Sequence, residues 1–391
     1  MADVVHELAR LAGEHGQLAI DTEFVSERRY QALLCLVQVA VRDDAAGDGI
    51  RTEVLDPLDD AAPLDPAPLA GVLADPEVEI VFHAGRQDVA ILRRSWDTGV
   101  TNVFDTQVAA GFLGMGNQEG YESLVRRVLG VELRGGEGFT RWDKRPLTER
   151  QLGYAADDAR SLLALGRALE RQLSEVGRLE WAREECRNVA QSTDERSSER
   201  AYDRLPNLRR LDGAQRAVAL RLCEWRDVAA RELDRPPSYL MPDQVLMQVA
   251  RRRPADKAGL EQIRGLPQHT LHRRGRELIA TVAAAADDEP LPGPPAPPRR
   301  EAVDQPVVSL AQALLRHRAR EAKIATELIA TQSELTALVA AVRQGDEDRD
   351  GIRALHGWRR ELVGNELSAL VRGEIAMSVA SDGSLAISDR R

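Results

Sequence analysis

The chain has few cysteines, few aromatic residues and no long hydrophobic run. Its three cysteines, Cys35, Cys186 and Cys223, lie far apart, which excludes a disulfide framework and a compact zinc site. The longest apolar runs, such as Ile279–Ala286, fall far short of the roughly 20 residues that a membrane-spanning helix needs. The charged N-terminus also lacks the apolar core of a secretion signal. These absences favour a reduced, cytoplasmic protein, and we expect a monomer with no membrane partner.

Positive charge is also scarce, because 63 acidic residues outnumber 53 lysines and arginines and give a formal net charge of −10. Taken alone, this argues against a nucleic-acid-binding protein, since phosphate contacts need cationic side chains. The charge is uneven, however, and residues 249–277 hold eight lysines or arginines against three acids. A solvated surface explains this excess as well as a phosphate-binding patch does. Seven residues of this stretch are candidate nucleic-acid ligands: Arg251, Arg252, Arg253, Lys257, Arg273, Arg274 and Arg276.

Two polar segments divide the chain, whose 391 residues exceed what one hydrophobic core usually supports. Residues 287–306 are proline-dense and cannot continue a helix, and residues 192–204 are polar and charged. Strand and helix patterns mix before residue 190, whereas helical patterns dominate from there to about Arg372, before an irregular tail. We therefore predict an α/β domain, a mixed sheet flanked by helices, at 1–195. An all-α domain at 205–287, a proline-rich linker at 288–306 and a C-terminal helical domain at 307–391 complete the prediction.

The first domain has four clear β-type runs and four clear helical patterns. The predicted strands are Gln17–Thr22, Leu33–Val41, Thr52–Leu55 and Glu79–Phe82. The predicted helices are Asp88–Ser95, Thr106–Leu113, Tyr121–Leu129 and Thr148–Leu173. Thr148 is a suitable N-cap for the last of these helices, and an N-cap role is sufficient reason for Asp105 before the Thr106 helix.

Asp21 and Glu23 point to the same side of the first predicted strand, because side chains alternate along a strand. Two carboxylates this close repel each other unless a cation lies between them, which is how Mg²⁺ and Mn²⁺ sites are built. Such a pair is common on solvent-facing strands, so it does not identify a site by itself.

Two later segments add acidic residues in comparable places. Asp88 lies in the first turn of a helix that follows a buried strand, where an acid also suits the helix dipole. Tyr154 and Asp158 stand four residues apart and therefore share one helix face, whereas Asp157 points elsewhere. A core tyrosine with solvated acids explains the same spacing, so each segment alone stays ambiguous.

Taken together and in this order, the acidic segments resemble the DEDD exonuclease superfamily, and the spacing of Tyr154 and Asp158 resembles its tyrosine branch. Further stretches look like the ribonuclease D family, namely Phe104–Gln107, Tyr121–Leu129, Trp142, Arg145–Leu152 and Tyr154–Ala156. Residues 211–286 are similar to a helicase-and-RNase-D C-terminal (HRDC) domain, through Arg221–Arg226, Arg235–Pro237 and Gly265–Pro267. The likeness covers nearly the whole chain and fades after Pro306.

The resemblance implies an α/β RNase H-like exonuclease domain followed by all-α domains of HRDC type, with 307–391 a second HRDC-like unit. It implies hydrolysis of RNA from single-stranded 3′ ends, with tRNA precursors as substrates and nucleoside 5′-monophosphates as products. Two divalent ions, Mg²⁺ or Mn²⁺, would be held by Asp21, Glu23, Asp88 and Asp158. Tyr154 would orient the attacking water, because a tyrosine with its ordinary pKa of ~10 is a poor base at pH 7.

Three other functions stay open from the residues alone. A DNA 3′→5′ exonuclease needs the same acids, since two-metal chemistry does not require a 2′-hydroxyl. A non-catalytic nucleic-acid-binding protein is a second alternative, and the complete acidic set argues against it because clustered carboxylates repel phosphate. An adaptor role for the C-terminal units is the third. The choice of RNA over DNA rests on the resemblance.

Overall fold

A five-stranded mixed sheet forms the centre of the N-terminal part in the computed structural model, which describes residues 2–116, 118–133, 140–294, 305–346 and 351–390. The strand order is β3-β2-β1-β4-β5, and β1 pairs antiparallel with β2 and parallel with β4. Strand β1, which carries Asp21 and Glu23, is therefore the central strand. The strands are β1 (Gln17–Val25), β2 (Leu33–Arg42), β3 (Ile50–Leu55), β4 (Glu79–Phe82) and β5 (Val103–Asp105).

Helices cover both faces of this sheet, because the central strands carry apolar side chains on both sides. The face that includes Leu18 and Ile20 packs against the first and third helices, and the face that includes Ala19 and Val81 packs against the long sixth helix. The helices are α1 (Ala2–His15), α2 (Ala67–Ala74), α3 (Arg86–Ser95), α4 (Thr106–Phe112), α5 (Tyr121–Leu129), α6 (Glu149–Glu175) and α7 (Leu179–Ala190).

Helix α6 begins at the predicted cap and lies close to the sheet. The Thr148 side chain accepts a hydrogen bond from the backbone N–H of Gln151, whose side chain in turn bonds the backbone of Thr148. Further along, Gly166 permits a close approach to β4, since a Cβ atom there would lie 2.7 Å from Cγ1 of Val81. The helix face that carries Asp158 is thereby held against the sheet.

The middle part of the chain is a separate helical domain with its own core. Leu222, Leu246, Leu260 and Leu278 are fully buried in it and come from four different helices. Its longest helix begins at a capping box, in which the side chains of Asp212 and Gln215 each bond the backbone of the other residue. The helices are α8 (Ser198–Asp203), α9 (Gly213–Glu232), α10 (Pro237–Leu240), α11 (Asp243–Arg252), α12 (Lys257–Glu261) and α13 (Gln268–Ala284).

The C-terminal part is helical and ends in a β-hairpin rather than in the irregular tail that we expected. The two strands alternate apolar and small or polar residues and pair antiparallel around a turn in which Gly383 has a φ of 82°. Residues 295–304 of the predicted linker lie outside the described residues. The elements are α14 (Gln305–Ala322), α15 (Thr326–Ile329), α16 (Gln332–Gln344), α17 (Gly357–Arg359), α18 (Asn365–Arg372), β6 (Ile375–Val379) and β7 (Leu385–Asp389).

The C-terminal part shares one hydrophobic core with the N-terminal α/β domain. The buried Trp358 ring packs edge-on against Phe112, with 4.8 Å between ring centroids, and stacks on Trp181 at 5.5 Å. The buried guanidinium of Arg359 forms an ion pair of 2.5 Å with Glu185. These contacts join the two parts into one structural unit. Within the described ranges, no helix is both long enough and apolar enough to cross a membrane.

Candidate active site

The structure brings together the five predicted catalytic residues from three elements. Asp21 and Glu23 project from β1 on the face that packs against α6, as strand alternation predicts. Asp158 and Tyr154 lie on the first half of α6 and approach from that same side. Asp88 enters from the opposite side, in the first turn of α3. The burial of Asp88 and Asp158, which are 8% and 7% exposed, shows that these acids line an enclosed site rather than a solvated face.

A turn fixed by Asp105 sets the position of Asp88. Asp105 is 1% exposed and caps α4 by accepting from the backbone N–H groups of Gln107 and Val108. Its two carboxylate oxygens also accept from the N–H groups of Ala84 and Gly85, at 3.1 and 2.9 Å. The predicted capping role is confirmed. It extends to the turn between β4 and α3, and hence to the start of the helix that carries Asp88.

The four carboxylates repel one another. Burial, followed by the charges of Asp88, Glu23 and Asp158, raises the pKa of Asp21 well above its usual value. Burial and the neighbouring Asp158 and Asp88 raise the pKa of Glu23 to about 8. Burial also raises the pKa values of Asp88 and Asp158 to about 6. The shared direction of these shifts is what a cluster of acids without a neutralising cation produces.

Neighbouring hydroxyl groups partly counteract the rise in pKa of two of the acids. Thr22, which faces away from Asp21 on the strand, donates from its hydroxyl to Oδ1 of Asp88. The Tyr154 hydroxyl donates to the Asp158 carboxylate and lowers its pKa, against the larger effect of burial. The leading causes of these shifts are burial and the charges of other acids, with no basic side chain among them. The cluster is therefore short of positive charge.

An all-oxygen set of carboxylates suits a hard divalent cation such as Mg²⁺ or Mn²⁺. In the part of the chain that the structure describes, no group of three or more His, Cys, Asp or Glu side chains is arranged to hold a metal ion as it stands. The donors thus fit such an ion chemically, and their carboxylates have to converge to bind it.

Sequence reasoning missed two residues that hold the site. Thr22 was assigned only to the opposite face of β1, and nothing in the sequence links it to Asp88. Tyr121 was assigned only to a helix, yet its hydroxyl donates to the backbone carbonyl of Asp158. Its ring also packs against the ring of His83, with 5.3 Å between centroids. Tyr121 therefore helps to fix the part of α6 that carries Asp158.

Two aromatic residues close to the candidate site, Trp142 and Phe24, pack against the hydrophobic core. Trp142 is 2% exposed and packs with Cys35, Leu36 and Ala155 beside Tyr154. Phe24 is half-buried against the α3 side of the sheet.

The predicted basic patch is only partly available to a ligand. Arg274 is paired with Glu232 at 2.8 Å and with Glu277 at 3.0 Å, and Lys257 lies 3.7 Å from Glu261. The remaining five are exposed, and the nucleic-acid role of the patch stays a prediction: Arg251, Arg252, Arg253, Arg273 and Arg276.

Comparisons with known proteins agree with this architecture. Residues 2–174 match the family model described as 3′-5′ exonuclease, and residues 215–282 match the HRDC domain. Ribonuclease D of Granulibacter bethesdensis is 36% identical over 371 residues, which cover 93% of this chain and 89% of the relative. Ribonuclease D of Acidiphilium cryptum is 34% identical over 373 residues, with coverage of 94% and 91%.

A solved structure supports the same assignment. The crystal structure of Escherichia coli RNase D, described as an exoribonuclease involved in structured RNA processing, superposes with a TM-score of 0.78 at 27% identity. The likeness covers 95% of this chain and 97% of that one. Both domains, and the C-terminal part after them, are thus shared. The chain belongs to the ribonuclease D family and is a metal-dependent 3′→5′ exoribonuclease.

Proposed function

We propose that this enzyme shortens single-stranded 3′ ends of RNA by two-metal hydrolysis and releases nucleoside 5′-monophosphates. The observation that carries the proposal is the set of Asp21, Glu23, Asp88 and Asp158, two half-buried and two buried, whose pKa values are raised by burial and acidic neighbours. A binding module gains nothing from such a set, because uncompensated buried carboxylates are costly and repel phosphate. Two divalent ions, Mg²⁺ or Mn²⁺, would offset that cost.

The four acids would hold the ions and Tyr154 would act on the water. Bound divalent ions lower the pKa of an attacking water and offset the charge that develops on the leaving 3′ oxygen. Tyr154 hydrogen-bonds Asp158, which directs its hydroxyl toward the cluster. Burial raises the pKa of Tyr154 above its ordinary value, so the phenol stays protonated and positions the water rather than deprotonating it.

Several further assignments are proposals of the same kind. We assign 1–195 to the exonuclease domain, 205–287 to the HRDC domain, 288–306 to the linker and 307–391 to a second HRDC-like unit. We also propose tRNA precursors and other stable RNAs as substrates, the basic residues of 249–277 as phosphate contacts, and a monomeric enzyme. The three cysteines are free and buried, which supports a reducing, cytoplasmic location.

A DNA exonuclease is the alternative that the site chemistry permits, so the test compares both nucleic acids. A 5′-labelled 20-nucleotide RNA and its DNA counterpart are incubated with Mg²⁺, with Mn²⁺ or with EDTA. We expect the RNA to shorten stepwise from its 3′ end, only with metal and faster than the DNA. The proposal fails if products appear in EDTA or if shortening begins at the 5′ end, and equal rates on DNA would favour the alternative.

Two matched variants connect this activity with the cluster. Asp88→Asn removes one carboxylate charge and should lower the rate by about three orders of magnitude, since metal-held charge stabilisation is worth several kcal/mol. Asp97→Asn makes the same chemical change just beyond α3, at an exposed position with a φ of 48° that asparagine tolerates. Its rate should equal that of the wild type. A precursor tRNA with extra 3′ nucleotides then tests the proposed substrate class. We expect the enzyme to remove the extra nucleotides and to stop near the mature 3′ end.

A further inference from the structure

Two cavities meet along residues 192–204, the segment between the exonuclease and HRDC domains. The first, of ≈510 Å³, is lined by the loop after β1, the start of α3 and Ser192, Thr193, Asp194 and Arg196. The second, of ≈590 Å³, is lined by the same segment and by residues of the HRDC domain as far as Asp243. They share Thr193, Asp194 and Arg196 and lie side by side, and we call the two together the interdomain trough.

One end of the interdomain trough is lined by chain neighbours of the acids. Gln87 lines it and immediately precedes Asp88, and Ser26 lines it just beyond the strand that carries Asp21 and Glu23. The other end reaches Pro236–Ser238 of the HRDC domain. The trough therefore extends from the elements that carry Asp88 and Glu23 to the HRDC domain.

The walls of the trough are held together across the two domains. The buried Tyr30 donates its hydroxyl to Oδ1 of Asp227 at 2.7 Å, and its backbone N–H donates to Asp234 at 3.1 Å. Arg29 forms an ion pair of 2.8 Å with the same Asp234. The trough is therefore a built surface whose shape does not depend on ligand.

Most acids that line the trough are already neutralised. Asp194 pairs with Arg94 at 2.8 Å, and the carboxylate of Asp243 accepts from the buried Arg226 at 2.7 Å. Asp227 accepts from Tyr30 and pairs with Arg231 at 3.3 Å. Glu195 is the exposed acid of the trough whose carboxylate has no basic partner among the described residues.

Apart from the paired Arg29 and Arg226, the arginines that line the trough are not neutralised. Four of them are exposed and form no ion pair with any described residue, namely Arg86, Arg196, Arg200 and Arg204. The Arg196 guanidinium lies 5.1 Å from the centroid of the Tyr30 ring, and that of Arg86 makes a long contact of 3.4 Å with the Asn188 carbonyl. In a chain of net charge −10, this alignment of uncompensated guanidinium groups is a site for a polyanion.

We propose that the interdomain trough binds the phosphate backbone of the RNA strand on the 5′ side of the nucleotide being removed. Guanidinium groups form paired hydrogen bonds with phosphate oxygens, and a row of them follows a backbone without reading its sequence. The inference rests on the proposed function, because it places the 3′ end of the strand at the acid cluster. The segment 192–204, which the sequence presents as a spacer, is thus a substrate-binding element.

A triple variant and a matched control test the proposal by binding alone. R196Q/R200Q/R204Q removes three trough charges, and R127Q/R171Q/R187Q removes three exposed arginines elsewhere on the exonuclease domain that likewise form no ion pair with any described residue. A 5′-fluorescein-labelled oligouridylate of 20 nucleotides is bound in EDTA, so that no hydrolysis occurs, at several salt concentrations. The slope of log Kd against log salt should fall by about 2 in the triple variant, since each single-strand contact contributes about 0.7. Its Kd should rise about tenfold at moderate salt.

Turnover then separates this proposal from the proposed function. With Mg²⁺ the triple variant should show a raised KM on the 20-nucleotide strand and an unchanged kcat on a three-nucleotide strand, which reaches only the acid cluster. An unchanged salt slope, or the same change in the control variant, would overturn the trough. A wild type without any ribonuclease activity would overturn the proposed function instead. If the triple variant fails to fold, the single variant R200Q carries the same test with an expected slope change of about 0.7.

Discussion

The metal-free enzyme should lose stability as the pH rises from 6.5 to 8.5, and Mg²⁺ should restore what is lost. Burial and the charges of Asp158 and Asp88 raise the pKa of Glu23 to about 8 in the folded protein, against 4.5 in the unfolded chain. Over this interval the folded protein keeps the Glu23 proton that the unfolded chain has released. The stabilising contribution is complete below pH 4.5 and is lost as the pH rises through 8.

The magnitude follows from the width of that interval. Each pH unit over which one group is protonated only in the folded state costs about 1.4 kcal/mol. Between pH 6.5 and 8.5 the loss from Glu23 is therefore roughly 2 kcal/mol. Asp21 is shifted in the same direction and adds to it. Asp88 and Asp158, with pKa values of about 6, are mostly ionised at the start of the interval. His83, whose pKa burial lowers, is neutral throughout it.

Urea denaturation at pH 6.5, 7.5 and 8.5, in EDTA and in saturating Mg²⁺, measures the effect. The Glu23→Gln variant is the matched control, because it keeps the shape of the side chain and removes its charge. In EDTA at pH 8.5 it should be more stable than the wild type, and it should gain less from Mg²⁺. A wild-type free energy of unfolding that stays level across this range in EDTA would refute the reasoning, as would equal stabilisation of both proteins by Mg²⁺.

Two further substitutions have defined outcomes. Tyr154→Phe removes the hydroxyl beside Asp158 and should lower kcat by about 10²-fold or more while leaving KM and the Mg²⁺-dependent stabilisation unchanged, and a parallel loss of metal binding would contradict the water-orienting role. Trp358→Ala should cost about 3–5 kcal/mol and lower the temperature at which exonuclease activity is lost, because its ring fills the shared core. Leu246→Ala, which truncates a fully buried side chain of the HRDC core, serves as its control, and equal effects on thermal inactivation would show that the core is not shared.

Much of the fold could be predicted because its periodic patterns are strong. The four predicted strands and four predicted helices of the first domain all occur, with ends displaced by a few residues. Helices α1, α2 and α7 were not predicted, although α1 buries Val5, Leu8, Leu11 and Ala12 at helical spacing. The hairpin at Ile375–Asp389 was also missed. Its strands are half-exposed and alternate small residues with apolar ones, which weakens the contrast that identifies a strand.

The site was predictable where spacing in the sequence reflects spacing in the structure. Strand alternation placed Asp21 with Glu23, and helical spacing placed Tyr154 with Asp158. The contacts of Thr22 with Asp88 and of Tyr121 with the Asp158 carbonyl join residues far apart in the chain, so no local pattern shows them. The same limit applies to charge. Sequence reasoning counted cations in residues 249–277, and the structure reveals which of them are neutralised by a neighbour.

The shared core has a consequence for how the enzyme is made. Phe112 and Trp181, which are synthesised early, receive Trp358 only after the whole HRDC domain has been translated. In topological terms the HRDC domain is an insertion between two segments of one folding unit. During synthesis, the apolar surface of the exonuclease domain therefore stays exposed to solvent until the C-terminal segment has been translated. The HRDC domain is synthesised in that interval. Chains cut short by truncation or premature termination keep all four candidate catalytic acids and still lack the segment that completes the core.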